Sequence, residues 1–338
     1  MLKTNLFINQ NLYAMKKKVL YFGGLLLVST MLLVGCLKTK TVTVNKYFSV
    51  QNATLIEAAM PEATSTNNID ISMNSNVIAG GSSVVSVNSL TGIRKVLVGV
   101  ENEYGYYEVV PSRNTGLFTI IINQDIDLGE KETFPIAVAV VDSNGDISRI
   151  WITEVKLIAV GTGALQVSLS FDNAKDVDLH LIEPAYIDEN GDPVPFYSRH
   201  IYYGDKTSAN GGILDLDSNP SCSIDNINNE NITYDEIEST VVTGTYKVYV
   251  DLYENCEESI ATNYVVTVFY GGRMIASRSG VFEVGAPSTY NPISESYVEE
   301  NEPFLTFNIS QGHKGNGDFE PAPMTPSAME KEARAMHN

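Results

Sequence analysis

The chain has 338 residues, 43% of them hydrophobic, and a formal net charge of −19. That length is enough for two buried cores, and the acid excess repels nucleic acid and anionic headgroups while attracting divalent cations. There is no G-x-S-x-G elbow, no cysteine close in sequence to a histidine and no glycine-rich phosphate loop, so no catalytic residue is assigned. Paired carboxylates of a glycoside hydrolase carry no weight as a signal in a chain with 41 Asp plus Glu.

From Met15 the sequence reads MKKKVLYFGGLLLVSTMLLVGC: three lysines, an apolar run from Val19 to Val34, then Leu33-Val34-Gly35-Cys36. A basic segment followed by an apolar one is a secretory signal. The small residues before the cysteine resemble the lipobox of bacterial lipoproteins. The resemblance implies cleavage before Cys36, a diacylglycerol on its thiol and an acyl chain such as palmitate on its new amine, and hence a protein held in the bacterial cell envelope, at the outer membrane, by lipid. The alternative is a retained membrane helix, for which the run is at the lower limit of length and is interrupted by Gly23 and Gly24. Without residues 1 to 35, 18 Lys plus Arg face 41 Asp plus Glu, a formal charge near −23, so membrane contact has to come from the lipid.

Residues 37 to 48 read as a brief tether. Residues 49 to 160 then hold SVVSVNSL, RKVLVGVE, YGYYEVV, LFTIIIN, FPIAVAVVD and SRIWITEVKLIAV, separated by turn signals such as DSNGD at 142 to 146. Short strands at this spacing without a helical period predict an antiparallel β-sandwich of immunoglobulin-like type. Trp151 reads as core packing and not as a ligand platform. Tyr104, Tyr106 and Tyr107 read as half-buried strand residues, with stacking on sugars as the alternative.

GTGA at 161 to 164 marks a boundary so short that the two domains should be joined stiffly. Residues 161 to 310 add eight or nine strands, from LQVSLSF to PFLTFNIS, predicting a second, immunoglobulin-like or prealbumin-like sandwich. The fold class is therefore all-β: two tandem antiparallel sandwiches after residues 1 to 36. Residues 311 to 338, rich in Gly, Pro and polar residues, read as a disordered tail. Cys222 and Cys256 stand in a compartment that allows disulfides, and either bridge there or remain as two buried thiols.

Within the second domain, DVDLHLIEP at 176 to 184, IYYGDKTSANGGILDLDSN at 201 to 219, NNENITY at 228 to 234 and GTYKVYVDLY at 244 to 253 resemble the YfaP-like family of bacterial domains. The resemblance covers roughly residues 165 to 310 and implies a β-sandwich of exported or surface-associated proteins, without an established reaction. This chain departs from it by the insertion AYIDENGDPVPFYSR.

Strand alternation places Asp176, Asp178 and His180 on one face of a strand and Val177, Leu179 and Leu181 on the other. LDLDSN repeats the device with Asp215, Asp217 and Asn219. Such rows of oxygen donors fit calcium, with Asp225, Asn229 and Glu230 as candidates to complete the shell. They fit equally the capping of strand ends and turns by Asx side chains. His180 forms no spaced pair with His200, His313 or His337 and reads as a hydrogen-bonded structural histidine; zinc would require His180, His200 and a carboxylate to converge. The functional expectation is a non-catalytic binding or adhesion module for a glycan or protein ligand, without a nucleic-acid partner. The alternatives are a structural or assembly subunit and, third, an envelope hydrolase.

Overall fold

The structure is a computed structural model that describes residues 40–111, 116–234, 241–256, 259–289 and 293–310. Residues 1–39, which hold the expected signal and Cys36, and residues 311–338, expected as a tail, lie outside the described residues.

The first half forms β1 (Phe48–Val50), β2 (Ala53–Ile56), β3 (Asp70–Ser72), β4 (Asn76–Ile78), β5 (Ser82–Asn88), β6 (Lys95–Val100), β7 (Tyr106–Val109), β8 (Gly116–Ile122), β9 (Thr133–Val141) and β10 (Trp151–Ile158). A four-stranded sheet, β1-β8-β5-β3, faces a six-stranded one, β2-β7-β6-β9-β10-β4. Alternate residues of the two sheets, among them Phe48, Val85, Val98, Ile120 and Phe134, close one apolar core. Trp151 packs against that core from β10. Tyr107 is buried and donates its hydroxyl to the Phe48 carbonyl at 2.9 Å. Val44, four residues ahead of β1, is already fully buried in the core. One pairing departs from the antiparallel expectation: β4 runs parallel to β10.

The second half forms β11 (Leu165–Phe171), β12 (Asp176–Ile182), β13 (His200–Ile201), β14 (Ile213–Leu216), β15 (Asn229–Thr233), β16 (Gly244–Glu254), β17 (Thr262–Tyr270), β18 (Arg273–Phe282) and β19 (Leu305–Ile309). Its sheets run β14-β15-β11-β17-β18 and β13-β12-β16-β19. Leu165, Val167, Leu169 and Phe171 from one meet Val177, Leu179 and Leu181 from the other in a second core. A one-and-a-half-turn helix, Glu295–Glu300, starts at Ser294, whose side chain accepts the Tyr297 N–H. Its Val298 packs on Ile182 and Tyr249. Six residues are too few to print a helical period in the sequence.

All seven residues of β11 are buried, although every second one is polar. The reason is the first sandwich: β5 packs on β11 and β17. Gln166 Nε2 donates to the Ala79 carbonyl at 2.7 Å, Ser170 Oγ accepts the Ser82 N–H at 3.0 Å, and Thr267 Oγ1 donates to the Gly80 carbonyl at 2.6 Å. Asn74 Nδ2 adds a bond to the Phe171 carbonyl at 2.8 Å. The polar stripe of β11 thus satisfies backbone groups of the first sandwich, and the two cores share a hydrogen-bonded junction.

Candidate metal centre

β12 holds the predicted alternation. Val177, Leu179 and Leu181 enter the second core, while Asp176, Asp178 and His180 take the opposite face. All three polar residues are nevertheless also buried, at 2%, 3% and 0% exposure. β13 pairs only with Leu181 and Ile182, so the earlier residues of β12 turn an unpaired edge toward the 217–230 loop.

Glu230 comes up to that edge from the other sheet. On β15, Asn229 and Asn231 bond Ser170 and Ser168 on the junction side, which leaves Glu230 on the inner face with Ile232, opposite Leu169. It is fully buried, and its Oε2 accepts the Leu179 N–H at 2.6 Å. Asp217 arrives just after β14, with Oδ2 2.7 Å from Lys206 Nζ. One carboxylate oxygen from each of Asp178, Asp217 and Glu230 lies within 4.8 Å of the other two, and this is the one such group of acids, histidines and cysteines among the described residues. Asp178 Oδ2, Asp217 Oδ1 and Glu230 Oε1 are each buried without a hydrogen-bond partner.

Burial is the main cause of the electrostatic strain here. It pushes the Asp178 carboxyl up to about 8, assisted by the charges of Asp176, Asp217 and Asp251 and opposed by Lys206. Burial also lifts Asp176 to about 6, opposed by the Ser221 N–H, which donates to its Oδ2 at 2.7 Å. Glu230 is driven well above the carboxylate range by burial, then by Asp178 and Asp217. Carboxylates so placed either take up protons or neutralise a cation.

The other sequence candidates separate from this group. A bulge between Leu214 and Leu216 breaks the alternation of LDLDSN. Asp215 therefore turns to the junction, where it accepts from Gly161 N at 2.5 Å and Asn231 Nδ2 at 2.7 Å. Asn219 adopts left-handed backbone with φ 58; its side chain donates to the Lys175 carbonyl and accepts the Asp225 N–H. Asp225 accepts from Ser218 Oγ and Ile227 N. Asp215, Asn219, Asp225 and Asn229 thus hold turns and the junction, and Asp176, Asp215 and Asp225 are not among the three converging acids. Glu230, held in the sequence only as a completer, moves to the centre.

His180 and His200, which have no paired spacing in sequence, do meet: Nδ1 of the first is 2.9 Å from Nε2 of the second. No carboxylate joins them within ligating distance among the described residues, which removes the convergence zinc requires. Tyr202 stacks on His200 at 4.2 Å, Tyr203 stands edge-on to Tyr202 at 5.1 Å, and Tyr253 stands edge-on to Tyr203 at 5.3 Å. The three tyrosines are half-buried. They make an aromatic face beside the carboxylates, close enough that the charge of Asp178 helps raise the Tyr203 hydroxyl, after burial.

Cys222 and Cys256 form a disulfide with a Cα separation of 5.5 Å. It ties the loop that carries Asp217 to the chain just beyond β16. No family model and no curated protein matches the chain.

Proposed function

We propose that the protein is a bacterial cell-envelope lipoprotein, lipidated at Cys36 and held at the outer membrane, whose second sandwich is a non-catalytic binding or adhesion module for a glycan or protein ligand. The observation that carries this reading is the aromatic face of Tyr202, Tyr203 and Tyr253, half-buried and next to acidic side chains. Flat rings that expose one edge or face bind sugars and peptides at small conformational cost. The hydrogen-bonded junction supports it too, since it joins the second sandwich stiffly to the first. The resemblance of the second domain to the YfaP-like family agrees with an exported setting.

A second reading, a structural or assembly subunit, rests on β18. It is an outermost strand of its sheet and ten residues long, Arg273–Phe282, the geometry that accepts strand addition.

The test is binding of the purified full-length chain to an array of surface glycans and extracellular proteins, beside the Tyr203→Ala, Tyr253→Ala variant. The module reading expects a ligand whose binding falls at least tenfold in the variant while its circular dichroism is unchanged. Undiminished binding by the variant would reject the aromatic face.

A further inference from the structure

We propose that Asp178, Asp217 and Glu230 bind one calcium ion at the unpaired edge of β12. The site goes beyond the binding-module reading and does not depend on it.

Three oxygens within 4.8 Å of one another occupy the spread allowed around a single ion bonded at roughly 2.3 to 2.6 Å. Surface acids cluster often without consequence, but these are not surface acids. Glu230 is fully buried on an otherwise apolar face, and Asp178 is 3% exposed. Each of the three keeps one buried oxygen that no donor reaches. The other oxygens show that the fold satisfies acceptors where it can: Leu179 N serves Glu230 Oε2 and Lys206 serves Asp217 Oδ2. The three carboxylates are brought together from β12, the residue after β14, and β15, and each keeps one oxygen unserved. One ammonium group among three carboxylates, with Asp176 alongside as a fourth, leaves an excess of negative charge that a divalent ion would balance.

The donor chemistry selects the ion. Oxygen alone, without sulfur or imidazole, excludes the ions that prefer soft or nitrogen ligands. Between the hard ions, magnesium retains most of its water and takes one or two carboxylates, whereas calcium accepts several carboxylates in irregular geometry. Three converging carboxylates, two of them fully enclosed, suit calcium.

The experiment is a calcium titration of the full-length chain in detergent after treatment with chelator, by isothermal calorimetry and by thermal melting. Saturable binding of one calcium per chain is expected, with a midpoint rise of several degrees. Glu230→Gln keeps the acceptor for the Leu179 N–H and removes a charge. It should raise the calcium-free midpoint while weakening calcium binding at least tenfold, a pair of opposite signs that a purely structural glutamate would not give. Asp217→Asn, nearer the surface, should weaken binding comparably if Glu230→Gln fails to fold. Asp225→Asn, in the neighbouring turn, should leave the affinity unchanged. Absence of saturable calcium binding by the parent chain, or undiminished binding by Asp217→Asn, would overturn the site. Neither result would bear on the glycan and protein array.

Discussion

The Ser221 N–H donates to Asp176 Oδ2 at 2.7 Å, and Ser221 is the neighbour of the bridged Cys222. The disulfide therefore fastens a loop already pinned to β12 by a buried carboxylate. Asn219, Ser221 and Cys222 all have positive φ, at 58, 49 and 58, a conformation that costs such residues roughly 1 to 2 kcal/mol each. Without the bridge these residues are freed to relax.

Replacing both bridged cysteines by serine should therefore do two things. The sequence separation of 34 sets a loss of about 3 to 4 kcal/mol on the chain-entropy estimate, measurable by denaturant unfolding. Calcium affinity should also fall several-fold, because Asp217 sits at the start of the released loop. An unchanged affinity in a destabilised variant would show that the loop keeps its shape without the bridge.

The junction makes a separate prediction at Gly80. Its φ is 74, and a Cβ there would come within 2.3 Å of Gln166 Oε1, the side chain that bonds Ala79 and Gln124. Gly80→Ala should cost about 1 to 2 kcal/mol for the backbone alone, plus the displacement of Gln166. If the junction couples the two cores, the parent should melt in one calorimetric transition, and the variant in two resolved ones. A variant that melts later than the parent would contradict the described packing.

How much of this could be read from the sequence depended on the range of the signal. The alternation of LQVSLSF and DVDLHLI gave strand positions and faces, because period-two patterning is local. That the polar faces would be buried was not legible, since that of β11 is covered by β5 of the other sandwich and that of β12 by β13, β15 and the loop at Ser221. Asp215 and Asp217 look equivalent two residues apart, yet the bulge at Leu214 and Leu216 separates them, and bulges leave no fixed sequence mark. Glu230 and the His180 and His200 pair are brought in by strand pairing over tens of residues. For Cys222 and Cys256 the sequence left a bridge and two buried thiols open, and the choice rests on the fold, which brings their Cα atoms to 5.5 Å.

The imidazole pair gives a pH prediction. His200 faces His180 across the 2.9 Å hydrogen bond, Tyr202 on one side and Phe196 on the other. Burial lowers its pKa from 6.5 to about 4. The fold therefore holds His200 neutral, while the unfolded chain protonates it below about 6.5. Its contribution is fully present above pH 6.5 and is lost progressively as the pH falls to about 4, by up to roughly 3 kcal/mol. His200→Gln removes that titration, so the stability gap between parent and variant, read from denaturant curves at pH 7 and pH 5, should narrow at the lower pH. A gap that widens would mean the pair is charged in the fold.

Asp215 and Asp217, two residues apart, divide turn chemistry from the proposed calcium site. Asp215 is exposed and ties Gly161 N and Asn231 Nδ2 together, so Asp215→Ala should cost only about 1 kcal/mol, the usual worth of such bonds near solvent. Asp217→Ala removes a ligand and frees Lys206. Without calcium it should be close to neutral in stability, because it also relieves repulsion on Asp178; in millimolar calcium it should melt several degrees below the parent. Asp215→Ala should instead show the same small deficit with and without calcium. Melting curves of the two variants in both conditions give four midpoints. A calcium-dependent deficit in Asp215→Ala would mean the bulge does not divide the two acids as described.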